Sequence, residues 1–357
     1  MNFFTDIYSS FSKLFSPKEL PEEHEYRPRI IAFGNVLLDF TLKVKCQDAL
    51  DPFGLTLGKK GEVSSELLNR MSQKFNLKNG HPGGSALNTI RILRKIGDAS
   101  CMFFGAIGDD ENGKTLKQIL KKKGINANLE IIPTKSTGQC ICFVHKDQTG
   151  LFANVGASND FTVDYLKAYD QDAFRKDYLD PQIFYIEGFF LPHRYSVCEF
   201  IIKEYISEAE SLLAFNLNAP YIVKENFEMV KTMIESSTLI FGNKAEYMAL
   251  ATLLKFDTLL ELTHLYCSRY KKIFVVTNGA DSVELYTNYD NVGFYKMEYE
   301  IPFSSNQDEI KDTTGAGDAF VAGFLNSFIA KKDLVECIID GCTIANKVIK
   351  HIGCEIP

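Results

Sequence analysis

From residue 29 onward the chain alternates short apolar runs with helical stretches, and few architectures accommodate that alternation. Ile30–Phe33 is a strand-like run ending in Gly34-Asn35. Ala86–Ile96 has helical spacing and closes at Gly97, and Cys101–Phe104 reads as a strand. Lys114–Lys123 places Leu116, Ile119 and Leu120 on one helical face and stops at Gly124. Ile183–Ile186, Leu212–Leu217, Thr238–Phe241 and Ile273–Thr277 are further strand candidates, each followed by a polar or Gly-bearing turn. Nearly continuous apolar strands between helices predict a parallel sheet covered on both faces. Two segments depart from the rhythm. Phe40–Val44 alternates apolar with polar residues, and Gly138–Val155 reads as a hairpin around the turn KDQTG. Such alternation predicts strands with one wet face. The expectation is therefore an α/β fold with a mostly parallel central sheet flanked by helices, plus a small β-sheet lid over the C-terminal strand ends. The lid segments are expected near 40–62 and 130–156, inside one domain spanning 29–357.

Lys plus Arg number 39 and Asp plus Glu 46, a formal charge of −7. A chain of that balance is a poor non-specific nucleic-acid binder, because such binding depends on neutralising phosphates. It remains compatible with a local phosphate site built from backbone amides. Nine cysteines and six histidines form no CxxC, HExxH or HxxxH pattern, so free thiols in a reducing, cytoplasmic compartment are expected, with the nucleus also open. No run approaches the ~20 apolar residues of a membrane span. Residues 1–28 stand apart. Phe4, Ile7, Phe11 and Phe15 recur near helical spacing until Pro17, with no basic segment or small-residue cleavage site. A short amphipathic helix docked on the body is expected there; a membrane- or partner-binding arm is the alternative.

Two stretches look like phosphate loops. Gly108-Asp-Asp-Glu-Asn-Gly113-Lys114-Thr115 satisfies GxxxxGK[ST] between a strand and a helix. Its interior is wrong for the task, because Asp109, Asp110 and Glu111 would sit against a triphosphate. Acidic residues before a helix cap it and oppose its dipole, so a structural turn is expected. The second stretch is Asp312-Thr313-Thr314-Gly315-Ala316-Gly317-Asp318-Ala319-Phe320, leading into an apolar helix. Gly-Ala-Gly at a helix start lets consecutive amides face one anion, and the helix dipole adds to them. Asp318, in the first turn, is placed to accept the proton of an attacking hydroxyl while those amides hold a phosphoryl group. An Asp that merely caps a helix after a Gly turn accounts for the same residues.

DTTGAGDAF resembles the C-terminal signature of the ribokinase-like (PfkB) family of sugar and nucleoside kinases. His81-Pro82-Gly83-Gly84-Ser85-Ala86-Leu87-Asn88 matches a second element of that family. GNVLLDF (34–40), FFGAIGDDENG (103–113), YIEGFF (185–190), AFNLNAP (214–220), LIFGNKAE (239–246) and HIGCEIP (351–357) narrow the likeness to the branch whose acceptor is adenosine. The resemblance implies a ribokinase-like fold and Mg²⁺·ATP-dependent phosphorylation of the adenosine 5′-hydroxyl, giving AMP and ADP. It implies that the partners are adenosine and ATP alone, and that the protein is a monomer. It makes Asp318 the general base, with Gly315, Ala316 and Gly317 as the anion hole beside Thr314. Asp39 would hold the ribose hydroxyls, a role that suits a carboxylate, whose oxygens can accept both hydrogens of a vicinal diol. Asn35, Gly83, Gly84, Ser85 and Asn88 would complete the nucleoside site, with Phe190 stacking on adenine and Cys140 and Leu37 lining the pocket. Asn243, Glu246, Thr277 and Gly279 would face ATP, Glu246 reaching Mg²⁺ through water. Gln307 would contact nucleotide or nucleoside, and Asp312 would hold a monovalent cation such as K⁺ or support the loop.

The sequence also departs from the pattern. Thr149 stands where the family's lid hairpin carries an Arg, with Lys146 three residues earlier. An adenine-contacting glutamine falls near Lys59–Lys60, beside a one-residue deletion. Asn278 replaces the usual glutamine of the ATP turn, and Glu187 a small residue before GFF. Another nucleoside or a sugar as acceptor, or nucleoside binding without catalysis, are the alternatives that these changes leave.

Overall fold

The computed structural model describes residues 29–356 apart from 79, 98, 146–147, 174–181, 207–210, 291 and 303–308. The N-terminal aromatic segment, Lys146 and Gln307 lie outside the described residues. The strands are β1 (Arg29–Phe33), β2 (Leu37–Lys43), β3 (Lys60–Glu62), β4 (His81–Gly83), β5 (Ser100–Gly108), β6 (Ala127–Ile132) and β7 (Thr137–His145), followed by β8 (Gln148–Gly156), β9 (Gln182–Glu187), β10 (Leu212–Asn216), β11 (Leu239–Asn243), β12 (Ile273–Thr277), β13 (Ser282–Thr287) and β14 (Tyr295–Glu300). Among the described residues nine of them form one sheet, ordered β14-β13-β12-β11-β10-β9-β1-β5-β6. It is parallel from β12 through β6, and β13 and β14 extend it antiparallel.

Successive strand residues point to opposite faces, so each continuous apolar run feeds two cores. In β1, Ile31 and Phe33 join Phe184 and Ile186 of β9 on one side. Ile30 and Ala32 join Ile183 and Tyr185 on the other. The second side is covered by the Ser85–Ile96 and Ala316–Ile329 helices through Leu87, Ile90, Leu93, Phe320, Phe324 and Leu325. The Phe227–Ser236 and Lys244–Leu254 helices cover the first through Val230, Met233, Ile234, Tyr247 and Leu250.

The alternating segments form the smaller sheet, ordered β3-β8-β7-β2-β4. β7 and β8 are the expected hairpin, while β2 lies parallel to β7 across about a hundred residues of chain. Its apolar face, Ile141, Phe143 and Phe152, packs on Leu68 and Met71 of the Ser65–Phe75 helix. Register places Asp39 beside Cys140 and Thr41 beside Cys142 on the opposite face. Cys142 Sγ lies 3.4 Å from Thr314 Oγ1. The polar side of this sheet thus faces the cleft above the parallel strands.

Candidate active site

The GxxxxGK[ST] stretch is a closed structural turn. Asp110 caps the Glu111–Lys122 helix by accepting from the Gly113 amide at 2.8 Å. The same carboxylate accepts from the Thr137 amide at 2.8 Å and its hydroxyl at 2.6 Å. Burial pushes Asp110 up, but the hydrogen bonds from Thr137 and Gly113 outweigh it and hold the carboxyl below its ordinary range. Asp110→Ala is expected to cost about 1–2 kcal/mol of stability, by loss of the cap, and to leave whatever rate the chain supports unchanged. Thermal denaturation beside a rate measurement checks both halves.

The cleft lies where open α/β sheets place ligands, at the C-terminal ends of the parallel strands. Gly34-Asn35 follows β1, and Glu187 ends β9. Asn216 ends β10, and register sets Asn243 of β11 beside Thr277 of β12. The loop at 312–315 enters the Ala316–Ile329 helix here. Gly315 adopts φ +79°, and a Cβ there would lie 2.3 Å from Cys354 Sγ. Asp312, 2 % exposed, ties the loop down. Its oxygens accept from the Thr314 and Gly353 amides, each at 2.9 Å. Of its two expected roles, this is support of the loop. The Ala316 amide closes a turn onto the Thr313 carbonyl, whereas those of Gly315 and Gly317 make no hydrogen bond among the described residues.

Asp318 occupies the first turn of that helix. Its Oδ1 accepts from Ser85 Oγ at 2.7 Å and its Oδ2 from Asn88 Nδ2 at 3.0 Å. Burial raises its pKa, while Ser85, Asn88, Lys60 and Arg91 pull it back. Asn88 is itself oriented, because its Oδ1 accepts from Arg91 Nη1 at 2.9 Å. Arg91 also donates to the Pro82 carbonyl at 2.6 Å and pairs with Glu355.

Asp39 faces this group from the small sheet. A Cβ at Gly83 would fall 1.9 Å from its carboxyl, so only glycine leaves it room. Gly84 adopts φ +107°, and a Cβ there would lie 2.0 Å from the Asn35 carbonyl oxygen. Burial pushes the Asp39 carboxyl up to about 7, with Arg91 drawing it down and Asp318 pushing it up. Asp39 Oδ1 and Asn35 Oδ1 are buried acceptors with no partner among the described residues. Leu37 and Cys140 are buried beside them.

Glu246 lies in the first turn of the Lys244–Leu254 helix, in a reciprocal capping box with Asn243. Burial pushes its carboxyl up to about 7 against the pull of Asn243 and Lys60. Gly279 makes the exposed turn after β12 with φ +61°.

Phe190 corrects the expectation that it stacks on a base. It is fully buried, packing on Phe33 and Phe161 and lying 4.4 Å beneath the Arg194 guanidinium. Adjacent residues in the Gly188–Phe190 turn point different ways. The half-buried ring is Phe189, 6.3 Å from Tyr221. Two further residues had no role legible in the sequence, although both lie in stretches that carry the resemblance. Asn218, at φ +62°, accepts from the Gly188 amide at 2.7 Å and donates to Ser85 Oγ at 2.8 Å. Glu187, noticed only as a departure, is fully buried in the middle of the site.

The profile of the pfkB family carbohydrate kinases matches residues 68–357. Adenosine kinase 1 of Arabidopsis thaliana is 29 % identical over 343 residues, covering 92 % of this chain and 96 % of that protein. Adenosine kinase 2 of the same plant is 28 % identical, covering 92 % and 95 %. The crystal structure of Anopheles gambiae adenosine kinase in complex with P1,P4-di(adenosine-5) tetraphosphate superposes with a TM-score of 0.80 at 27 % identity. It covers 92 % of this chain and 98 % of that one.

Proposed function

The chain belongs to the pfkB carbohydrate kinase family, and from that premise we propose that it transfers the γ-phosphoryl group of ATP to the 5′-hydroxyl of adenosine, giving AMP and ADP. The observation that carries the reading is the pairing of two features on either side of one cleft. On one side are buried acceptors awaiting donors, Asp39 Oδ1 and Asn35 Oδ1, suited to the hydroxyls of a ribose. On the other is Asp318, held by Ser85 and Asn88 next to the Gly315 and Gly317 amides, which have no partner among the described residues. The names of the relatives supply adenosine as the nucleoside, and Phe189 and Tyr221 offer aromatic surface for its base.

In this mechanism Asp39 and Asn35 orient the sugar so that its 5′-hydroxyl meets Asp318. Asp318 takes the hydroxyl proton as the oxygen attacks. The Gly315 and Gly317 amides and the helix dipole stabilise charge on the transferring group. The small sheet closes over the nucleoside and excludes water. Thr149 stands at the hairpin position where the family carries an Arg, and Lys60, on the strand beside the hairpin, supplies a cation to the cleft. Register aligns it with Leu151, which pairs with Cys142, so it lies on the cleft-facing side of the sheet. Its charge draws down both Asp318 and Glu246. The donor set suits magnesium that keeps its own waters. Among the described residues no three His, Cys, Asp or Glu side chains converge on a metal position, and Glu246 offers a single carboxylate. Glu246 would hold the ion through water, and the ion would neutralise charge on the triphosphate.

A coupled ADP-release assay with Mg·ATP tests the reading, with adenosine, inosine, guanosine, ribose or no acceptor. Adenosine-dependent release is expected, with little in its absence. Release with ribose alone would move the assignment to a sugar kinase. Adenosine binding without release from any acceptor would leave a nucleoside-binding protein.

A further inference from the structure

Glu187 is a buried carboxylic acid that the chemistry above does not use. It ends β9, fully out of solvent, and each oxygen accepts a backbone amide from a different element. Oε1 takes the Asn35 amide at 2.7 Å and Oε2 the Ala86 amide at 3.0 Å. Asn35 leads into β2, which carries Asp39; Ala86 follows Ser85, which holds Asp318. One carboxylate therefore straps the sugar-holding strand to the helix that aims the base.

A second buried charge works from the opposite side. Arg194, also fully buried, donates through Nε to the Phe190 carbonyl at 2.7 Å and through Nη1 to that of Ser158. Its Nη2 donates to the Phe189 carbonyl at 3.0 Å, which also accepts Asn35 Nδ2 at 3.0 Å. The Ser158 hydroxyl in turn accepts from the Val36 amide at 2.9 Å. Residues 34–36 are thus held between Glu187 and the Arg194 cage, and a Cβ on Gly34 would reach within 2.6 Å of Glu187 Oε1.

Burying this carboxyl is expensive. Burial pushes it up to about 7, with Asp318 adding to the rise and the two amides and Arg194 opposing it. The two amides and the Arg194 guanidinium offset only part of that cost. We propose that Glu187 is a positioning residue for the acceptor: its two straps set the separation between the sugar-holding Asn35–Asp39 segment and the Ser85–Asp318 pair. The nature of the acceptor rests on the adenosine reading above; the strap itself does not.

The test is steady-state kinetics of Glu187→Gln and Glu187→Ala beside wild type, varying adenosine and ATP separately, with thermal midpoints for all three. Glutamine accepts one amide only, since its own NH₂ opposes the other. The expected result is a rise of about tenfold in KM for adenosine in Glu187→Gln, a larger rise in Glu187→Ala, and KM for ATP within twofold of wild type. A KM for adenosine within twofold in both variants would overturn the proposal. So would parallel rises in both KM values, which would mark a general loss of structure. If wild type releases no ADP with adenosine, the acceptor assignment is what failed, and the same KM comparison is read on the acceptor that the panel identifies; with no turnover at all it is read as the calorimetric Kd for adenosine, where a value within twofold of wild type in both variants overturns the proposal.

Discussion

Replacing Asp318 by asparagine lowers kcat by about 10²–10⁴-fold while adenosine still binds. The expectation follows from what the substitution removes and what it keeps. Asparagine has the same size and still meets Ser85 and Asn88, which hold the native carboxylate at 2.7 and 3.0 Å. Gly315 and Gly317 stay where Asp312 and Cys354 hold the loop. What disappears is an oxygen able to take the hydroxyl proton. Single-turnover rates with Mg·ATP, alongside calorimetric adenosine binding, separate chemistry from affinity. A kcat within threefold of wild type would reduce Asp318 to a helix cap, the alternative that its sequence position left open.

Asp39→Ala strikes the other side of the cleft. Two hydrogen bonds from ribose hydroxyls to an ionised acceptor contribute about 1.5–3 kcal/mol each, so adenosine affinity should fall by about 10²–10⁴-fold. The effect should sit in KM for adenosine and not in KM for ATP, because Asp39 belongs to the small sheet and Asn243 and Thr277 to the far strands. The raised pKa sets a pH signature. Burial lifts the carboxyl to about 7, against Arg91 and with Asp318. The ionised form is the one that accepts both hydroxyl hydrogens, so binding is strong above that value and is lost as pH falls through it. Wild-type affinity for adenosine should be about tenfold weaker at pH 6 than at pH 8. Titration calorimetry at both values decides, and equal affinities would remove Asp39 from the sugar site.

The sequence disclosed local regularity and concealed contacts between distant segments. Runs such as Ile30–Phe33 and Ile273–Thr277 were legible because a strand buried on both faces has no polar position to confuse its pattern. The acidic interior of the 108–115 turn disclosed its structural nature, since carboxylates repel phosphates but cap helices. Gly83 and Gly84 could be read as a close approach, but not that Asp39 and the Asn35 carbonyl fill the space. Phe190 was misread because GFF does not say which ring of a tight turn points inward. Glu187 stood out by its residue type alone, and its use depends on amides 152 and 101 residues away. No periodicity encodes such partners, nor the reach of Arg91 to Glu355.

The anion loop is completed from downstream. Asp312 and Lys311 bond the Ile349 carbonyl and the Gly353 amide, Cys354 fills the space that Gly315 leaves, and Glu355 anchors the Arg91 that orients Asn88. A ribosome emits these last fastenings after every strand of the large sheet. A nascent chain can therefore have the strands of both sheets emitted while the loop at 312–315 is still unfastened. Closing the loop thus waits on a residue 41 positions downstream of Asp312.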